Sequence, residues 1–221
     1  MEENLIIVGP KWDRRVIDLV VPKHIDEIAV FVSGGMDSAI LFYALSVMNP
    51  TISIKTFCVP RSADDAKTHS HNVHDTVYRM LKRPGSAPEL IGTADEKNSL
   101  KPTQQLVESN RFKLIYDGVN HQIPLGFDFP EFAEFSDQHS RGERPWRVIS
   151  DVVKTPFLPL YKYHIIDLFY KLQAEELIKP THSCTANTVG RCGKCMWCKE
   201  REWGFNQLGL TDPGEIGRAH V

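Results

Sequence analysis

A run of small and hydroxyl-bearing residues, Ser33-Gly34-Gly35-Met36-Asp37-Ser38, follows a short apolar segment. Adjacent glycines let the backbone adopt positive φ angles and approach a ligand closely. The N–H groups of such a loop, at the start of a helix, form an anion-binding concavity. Ser33 and Ser38 add hydroxyl donors, and the Asp37 carboxylate suits a Mg²⁺ ion that bridges phosphate oxygens. The run predicts a phosphate-binding loop; the alternative is a tight turn between strand and helix. It is not a Walker A loop, because no Gly-Lys-Ser/Thr follows.

Four of the five cysteines lie close together near the C-terminus in the pattern C-x₇-C-x₂-C-x₂-C. Four thiolates can complete a tetrahedral shell around Zn²⁺, and Gly190, Gly193 and Lys194 suit the tight turns that this requires. An iron–sulfur cluster or a redox Cys-x-x-Cys pair is the alternative. The spacing favours a structural zinc ion without an open catalytic position. The four candidate ligands are Cys184, Cys192, Cys195 and Cys198. Cys58 is expected to be a small buried apolar residue.

The elements that must position these residues alternate between strand and helix. Residues 28–32 form a continuous apolar run, typical of a strand buried on both faces. This alternation predicts an α/β fold with a doubly wound, mostly parallel sheet. The aromatic, irregular residues 121–150 predict a loop over the site. The predicted strands are 28–32, 51–59, 89–91 and 112–116, with one more in 1–27, and the predicted helices are 39–48, 63–81, 99–109 and 162–172.

Composition narrows the functional classes. The 221 residues are 42% hydrophobic and 24% charged, which fits a globular protein and excludes a disordered or collagenous one. A net charge of −2 gives no basic face of the kind that binds nucleic acid. No apolar run approaches the ~20 residues of a membrane-spanning helix, and the first residues do not resemble a secretory signal. We therefore expect a cytoplasmic protein, in which clustered cysteines bind metal more often than they form disulfides.

The glycine loop resembles that of the N-type ATP pyrophosphatases, the PP-loop superfamily, which cleave ATP between the α and β phosphates and adenylate a substrate. Loop and cysteines together resemble the 7-cyano-7-deazaguanine synthases, which convert 7-carboxy-7-deazaguanine, ammonia and ATP to a nitrile. The resemblance runs from Ile28 to about Phe205. Beyond the loop it includes Gly118, Asn120, the proline-leucine segment from Thr155 to Lys162, Thr181-His182-Ser183-Cys184, and the cysteine-rich run from Arg191 to Phe205.

This resemblance implies a sheet of the adenine nucleotide alpha hydrolase type with a small C-terminal zinc-binding hairpin. It also implies ATP as co-substrate, Mg²⁺, structural Zn²⁺ and a homodimer. Lys162 is expected to contact phosphate; alternatively it is a solvated residue at a helix start, where a cation is mildly unfavourable. The implied catalytic residues are Asp37, Ser38 and Lys162. The implied ATP-binding residues are Ser33, Gly34, Gly35, Met36, Asp37, Ser38, Gly118 and Lys162.

The chain is expected to divide into four parts. An N-terminal extension covers residues 1–27, and the ATP pyrophosphatase domain covers residues 28–180. A four-cysteine zinc segment covers residues 181–206, and a tail covers residues 207–221. Within the tail, residues 215–221 correspond to one reading frame of a common sequencing adapter and are expected to be an artefact.

Three departures from the family lie where the second substrate would bind. Cys58 to Ser62 replaces a Gly-Gln-Arg-His segment, a Val-Pro-Gly-Arg-Asn-type segment is missing around 91–100, and Phe127 to Phe132 replaces Tyr-Pro-Asp-Cys-Arg. The predicted substrate-binding residues are Arg61, Asn120, Phe127 and Phe129. Further candidates are His69, His71 and His74 for a carboxylate or phosphate; alternatively, these histidines are exposed on a helix. Phe127, Phe129 and Trp146 are candidates for stacking on a deazapurine, with packing in the core or in a lid as the alternative.

Three functions are compatible with these observations. The first is synthesis of a nitrile from a deazaguanine carboxylate and ammonia. The second keeps adenylation but joins the deazaguanine to a protein amine, as related proteins of bacterial anti-phage operons do. The third is a non-catalytic nucleotide-binding zinc module, which the retention of Asp37 disfavours because a scaffold has no evident need for a metal-binding carboxylate.

Overall fold

The computed structural model describes residues 5–60, 66–93, 100–121, 123, 150–184 and 190–214. The described strands are β1 Leu5–Val8, β2 Arg15–Asp18, β3 Glu27–Phe31, β4 Ser53–Cys58, β5 Glu89–Leu90, β6 Ile115–Tyr116 and β7 Val153–Lys154. The described helices are α1 Met36–Met48, α2 Ala66–Leu81, α3 Lys101–Glu108, α4 Lys162–Lys171 and α5 Met196–Gln207, with a 3₁₀ turn at Glu175–Ile178. None of these helices is long and apolar enough to cross a membrane.

Five of the strands form a parallel sheet in the order β5-β4-β3-β6-β7. The chain runs outward from β3 through β4 to β5 and then returns to β6 on the other side of β3. Sheets of this kind bind ligands outside the carboxyl ends of their strands, at the point where the strand order reverses. That point lies between β3, which leads into the glycine loop, and β6, which leads to Gly118. The predicted doubly wound α/β fold is confirmed.

Helices cover both faces of the sheet, which explains the continuous apolar run in β3. Ile28 and Val30 share one buried cluster with apolar residues of α1, α2 and α4. Ala29 shares a second cluster with Phe57 and with Leu106 of α3. Because successive residues of a strand point to opposite faces, these two clusters lie on opposite sides of the sheet.

The strands β1 and β2 form a separate antiparallel pair that packs against α4. Backbone N–H of Gly9 donates to the Asp167 carboxylate at 2.7 Å, and the Arg15 guanidinium donates to the carbonyl oxygen of Pro159 at 2.7 Å. Between the strands, Asp13 accepts a hydrogen bond of 2.5 Å from the Tyr163 hydroxyl. This pair therefore holds the beginning of α4. One strand was predicted in residues 1–27, so that prediction was incomplete.

Other boundaries differ from the sequence predictions for local reasons. Helix α1 begins at Met36 rather than residue 39, which places Asp37 in its first turn. Of the predicted strand 112–116, only the two residues of β6 are in a strand. Phe112 precedes this strand and packs edge-on against Phe57. The two-residue strand β7 was not predicted, because so short an edge strand has no readable periodicity. Likewise, the predicted cysteine-rich hairpin continues into α5, whose Gly204 disfavours a helix when the sequence is read alone.

His74 is buried in the core, and its environment predicts how stability depends on pH. Its ring stacks on Phe42 and is hydrogen-bonded to the Thr56 hydroxyl. Burial, and secondarily the charge of His71, lower the pKa of His74 from 6.5 to about 4. The unfolded chain therefore binds a proton at a higher pH than the folded chain does, and stability falls as the pH falls from about 6.5 to 4.

We expect the titration of His74 to lower the free energy of unfolding by about 2 kcal/mol when the pH is lowered from 7 to 5. Urea unfolding at both pH values would measure the loss. The control is His74→Gln, which keeps a hydrogen-bonding side chain without a titratable ring and should lose about 2 kcal/mol less over the same interval. Equal losses in the two proteins would contradict the assignment to His74.

Candidate functional site

The glycine loop is tightly packed at the carboxyl end of β3. Gly34 has φ +83°, and a Cβ there would lie 2.6 Å from the backbone carbon of His69 in α2. Any larger residue would separate the loop from α2. Gly35 is the N-cap residue of α1 and has no side chain to bond the first N–H groups of that helix. The positive end of α1 is therefore available to an anion.

Two serine hydroxyls close the loop on itself. Backbone N–H of Ser33 donates to Oγ of Ser38 at 3.1 Å, and the Ser38 hydroxyl donates to the carbonyl oxygen of Gly35 at 3.2 Å. The two hydroxyl oxygens are 3.1 Å apart. Both predicted phosphate donors thus lie within the loop, held in place by its own backbone.

The end of β6 approaches the beginning of α1. A Cβ on Gly118 would lie 3.0 Å from the backbone carbon of Asp37 and 3.0 Å from the backbone nitrogen of Ser38. The contact explains why glycine is suited to this position. Asn120 is buried two residues further on, where its amide donates to the carbonyl oxygen of His121 at 3.0 Å. Gly118 and Asn120 therefore line the edge of the sheet on which the glycine loop lies.

Lys162, the first residue of α4, is paired with Asp37. Its Nζ lies 2.5 Å from Oδ1 and 2.7 Å from Oδ2 of Asp37. The lysine side chain is 4% exposed, whereas that of Asp37 is 24% exposed. Burial alone would lower the pKa of Lys162, but the carboxylates of Asp37 and Glu200 outweigh burial and raise it. Lys162 is therefore a buried, permanent cation at the loop, and the interpretation as a solvated residue is wrong.

Glu200 is a site residue that the sequence predictions missed. Its Oε2 lies 3.4 Å from Nζ of Lys162, and its side chain is 3% exposed. This oxygen has no hydrogen-bond partner among the described residues. One helical turn later, a Cβ on Gly204 would lie 2.8 Å from Cγ of Lys162 and 2.8 Å from Cδ1 of Ile166. Glu200 and Gly204 are four residues apart, so they lie on the same face of α5. The sequence alone does not indicate that Glu200 is buried, because a glutamate in a polar segment is usually exposed to solvent.

The four cysteines converge as their spacing predicts. All four sulfur atoms lie within 4.8 Å of one another. The Cys192–Cys198 and Cys184–Cys195 pairs both have Sγ–Sγ distances of 3.9 Å. A tetrahedron with metal–sulfur bonds of about 2.3 Å has edges of about 3.8 Å, so the set fits a four-coordinate metal ion. Backbone N–H of Cys195 also donates to Sγ of Cys192 at 3.2 Å.

Comparison with known proteins finds similarity over part of the chain. The family model described as "Queuosine biosynthesis protein QueC" matches residues 131–209. A 7-cyano-7-deazaguanine synthase of Leptospira biflexa is 35% identical over 117 residues, which are 49% of this chain and 46% of that protein. The synthase of Gloeobacter violaceus is 33% identical over 64 residues, 28% of this chain and 27% of that protein. Residues 131–209 of the chain are similar to QueC.

The QueC-like match has a defined extent. The chain spans about half the length of the Leptospira relative that it matches. The family model matches residues 131–209, a range that includes Lys162, the four cysteines and Glu200. The glycine loop lies before this region, so its assignment depends on its own sequence and geometry.

Two solved structures match most of the chain at low sequence identity and low TM-score. NMN synthetase from Francisella tularensis has a TM-score of 0.45 at 13% identity, covering 85% of this chain and 79% of that one. The U34-tRNA thiolase NcsA from Methanococcus maripaludis, solved with its [4Fe-4S] cluster, has a TM-score of 0.43 at 13% identity, covering 88% and 69%.

Arg201 anchors the cysteine segment to the core of the protein. Its side chain is 1% exposed and donates to both carboxylate oxygens of Asp212, at 2.7 and 2.9 Å. It also donates to Oγ1 of Thr181 at 2.8 Å. Arg191 forms a second ion pair with Asp212. Burial would raise the pKa of Asp212, but hydrogen bonds and charge from Arg201 outweigh burial and lower it. The residues on both sides of the four cysteines are thus joined by one buried ionic network.

The candidate histidines have different surroundings. His69 stacks on His182 with ring centroids 3.9 Å apart, and the backbone N–H of His182 donates to the carbonyl oxygen of Gly34 at 2.8 Å. This histidine pair therefore lies beside the glycine loop. His74 lies in the core and His71 is half-buried. Cys58 is 2% exposed, and its thiol donates to the carbonyl oxygen of Val59, as expected for a small buried residue. Arg61, Phe127, Phe129 and Trp146 lie outside the described residues.

Proposed function

We propose that the chain is an ATP-dependent ligase that adenylates 7-carboxy-7-deazaguanine or a similar carboxylate and joins its carbon to the nitrogen of ammonia. The observation that carries the proposal is the pairing of Asp37 with Lys162 at the glycine loop, at the reversal point of the parallel sheet. These two residues are 125 positions apart in the sequence.

The site offers several groups to a triphosphate. The first N–H groups of α1 can donate to phosphate oxygens, and the hydroxyls of Ser33 and Ser38 can do so by exchanging their bonds within the loop for bonds to phosphate. Lys162 adds a positive charge that stays protonated, since its pKa is raised. Asp37, the more exposed partner, would hold Mg²⁺, which would neutralise charge on the phosphates when bound. This chain therefore supplies donors and a fixed cation, which is how enzymes catalyse transfer at phosphorus.

The reaction must remove two oxygen atoms from the carboxylate. In the first adenylation, a carboxylate oxygen attacks the α-phosphorus and pyrophosphate leaves. Ammonia then attacks the acyl carbon, loses a proton and displaces AMP, which gives the amide. A second ATP adenylates the amide oxygen, and loss of AMP and of two protons from nitrogen forms the nitrile. Two AMP molecules are therefore expected for each nitrile.

We propose that the cysteine cluster holds a structural Zn²⁺ ion. Four thiolates complete its coordination, so no position remains for a substrate. The ion would supply folding free energy to the segment that carries Glu200 and Arg201.

We propose ammonia as the nitrogen source. The curated relatives described above are named as 7-cyano-7-deazaguanine synthases. This favours nitrile synthesis over transfer to a protein amine. The predicted substrate residues Arg61, Asn120, Phe127 and Phe129 would then bind the deazaguanine.

The test is incubation with 7-carboxy-7-deazaguanine, ATP, Mg²⁺ and ammonium, followed by mass spectrometry. Nitrile, pyrophosphate and two AMP per nitrile are expected. ADP and phosphate would contradict cleavage between the α and β phosphates, and AMP without nitrile would contradict ammonia as the acceptor. Lys162→Met should abolish AMP formation, whereas Lys171→Met, in the last turn of the same helix and 42% exposed, should not.

A further inference from the structure

We propose that Glu200 is a positioning residue for Lys162, and that α5 thereby links the cysteine cluster to the nucleotide site. The inference rests on the proposed function in that the ligand of Lys162 is taken to be a triphosphate. No reacting group is assigned to Glu200 itself, because its contact is with the lysine.

The beginning of α5 is set by the cluster. Cys195 is the N-cap residue of α5, and Cys198 lies in its first turn. Glu200 follows Cys198 by two residues. Because both residues belong to the same rigid helix, the position of the Cys198 sulfur fixes the backbone of Glu200, and the Glu200 carboxylate lies within one side-chain length of that backbone.

The face of α5 that follows is fitted to Lys162. The Glu200 carboxylate lies 3.4 Å from the ammonium nitrogen, and the absence of a side chain at Gly204 makes room for the lysine stem. The charge of Glu200 and the small size of Gly204 thus both affect the side chain of Lys162. Two independent features of α5 therefore point to Lys162.

Glu200 is not needed to neutralise Lys162, which already has Asp37 as a bidentate partner. A second buried carboxylate is costly unless it has a partner, and Lys162 is its ion-pair partner among the described residues. Glu200 becomes important when the nucleotide is bound, because Asp37 then binds a metal ion and Lys162 binds a phosphate oxygen. Glu200 then remains as the counter-ion that keeps the lysine buried, charged and in place.

Without the Glu200 charge, Asp37 would be the remaining ion-pair partner of Lys162 among the residues that the structure describes. The closed Asp37–Lys162 pair would then compete more strongly with the nucleotide. Glu200→Gln is therefore expected to weaken binding of Mg²⁺ with α,β-methylene ATP about tenfold. Glu200→Asp, which keeps the charge, should recover part of this loss. Gly204→Ala leaves every charge intact but places a methyl group against the lysine stem, and it should also weaken binding.

The experiment is isothermal titration calorimetry of the metal-loaded chain with α,β-methylene ATP and Mg²⁺ at neutral pH. Glu202→Gln is the matched control, since Glu202 is exposed on the same helix and pairs with Lys199. Glu200→Asp is the second arm, because it keeps the carboxylate charge beside Lys162 and should recover part of the binding that Glu200→Gln loses. Recovery by the charge-conserving variant separates a role of the Glu200 charge from a merely structural role.

The outcomes separate the two proposals. If the wild-type chain does not bind the analogue, the proposed function fails. If the wild type binds and Glu200→Gln binds equally well or more tightly, or if Glu200→Asp recovers none of the loss, the positioning role of Glu200 is overturned. Unchanged binding by Gly204→Ala would overturn the role of the α5 face.

Discussion

Asp37→Asn is expected to lower ATP turnover about a thousandfold or more, since a metal-binding carboxylate supports several kcal/mol of transition-state stabilisation. Asparagine has nearly the same volume but no charge to hold a divalent cation. The variant should fold, because Glu200 remains as a counter-ion for the buried Lys162. We therefore expect a loss of activity that is far larger than the loss of stability.

AMP release, followed by chromatography, measures the effect, and thermal unfolding measures stability. Asp26→Asn is the matched control, because Asp26 is exposed and precedes β3 at the amino end of the strand, opposite to the glycine loop. The control should keep wild-type turnover. Turnover of Asp37→Asn within tenfold of the wild type would contradict the proposed role of Asp37.

The parallel sheet and the cysteine cluster could be predicted from the sequence because their signals are local. The apolar run over Ile28 to Val32 carries its own burial pattern, and the cysteines carry their own spacing. The strand order, and with it the reversal point beside Gly118, comes from pairing between segments that are distant in the chain. Periodicity in one segment does not contain that information.

The ion pairs of Lys162 also could not be predicted from the sequence, because their members come from segments that are distant in the chain. Family resemblance brought Lys162 and Asp37 into one predicted site, but not into one ion pair. Glu200 went unnoticed because its helix has no apolar stripe and charged residues are mostly exposed. Its burial follows from the packing of α5 against α4, where Gly204 allows close approach. A residue type alone could not indicate that this carboxylate lies inside the protein.

Cys192→Ser is expected to release the metal ion and to destabilise the chain by several kcal/mol, since structural metal binding contributes folding free energy. For a chain of this size, that corresponds to a fall in Tm on the order of 10 °C. Cys192 accepts backbone hydrogen bonds from Lys194 and Cys195, so its loss disturbs the turn as well as the metal shell. The change should also weaken nucleotide binding, because α5 carries Glu200.

Elemental analysis of the purified wild type should find about one zinc ion per chain, held by a closed four-cysteine shell. The matched control is Cys58→Ser, which alters a buried cysteine outside the cluster. It should keep its zinc and lose only about 1–2 kcal/mol, the typical cost of a polar substitution in a core. Iron in place of zinc would contradict the structural zinc ion. If Cys192→Ser kept its metal and its Tm, the cluster would not be what holds the beginning of α5.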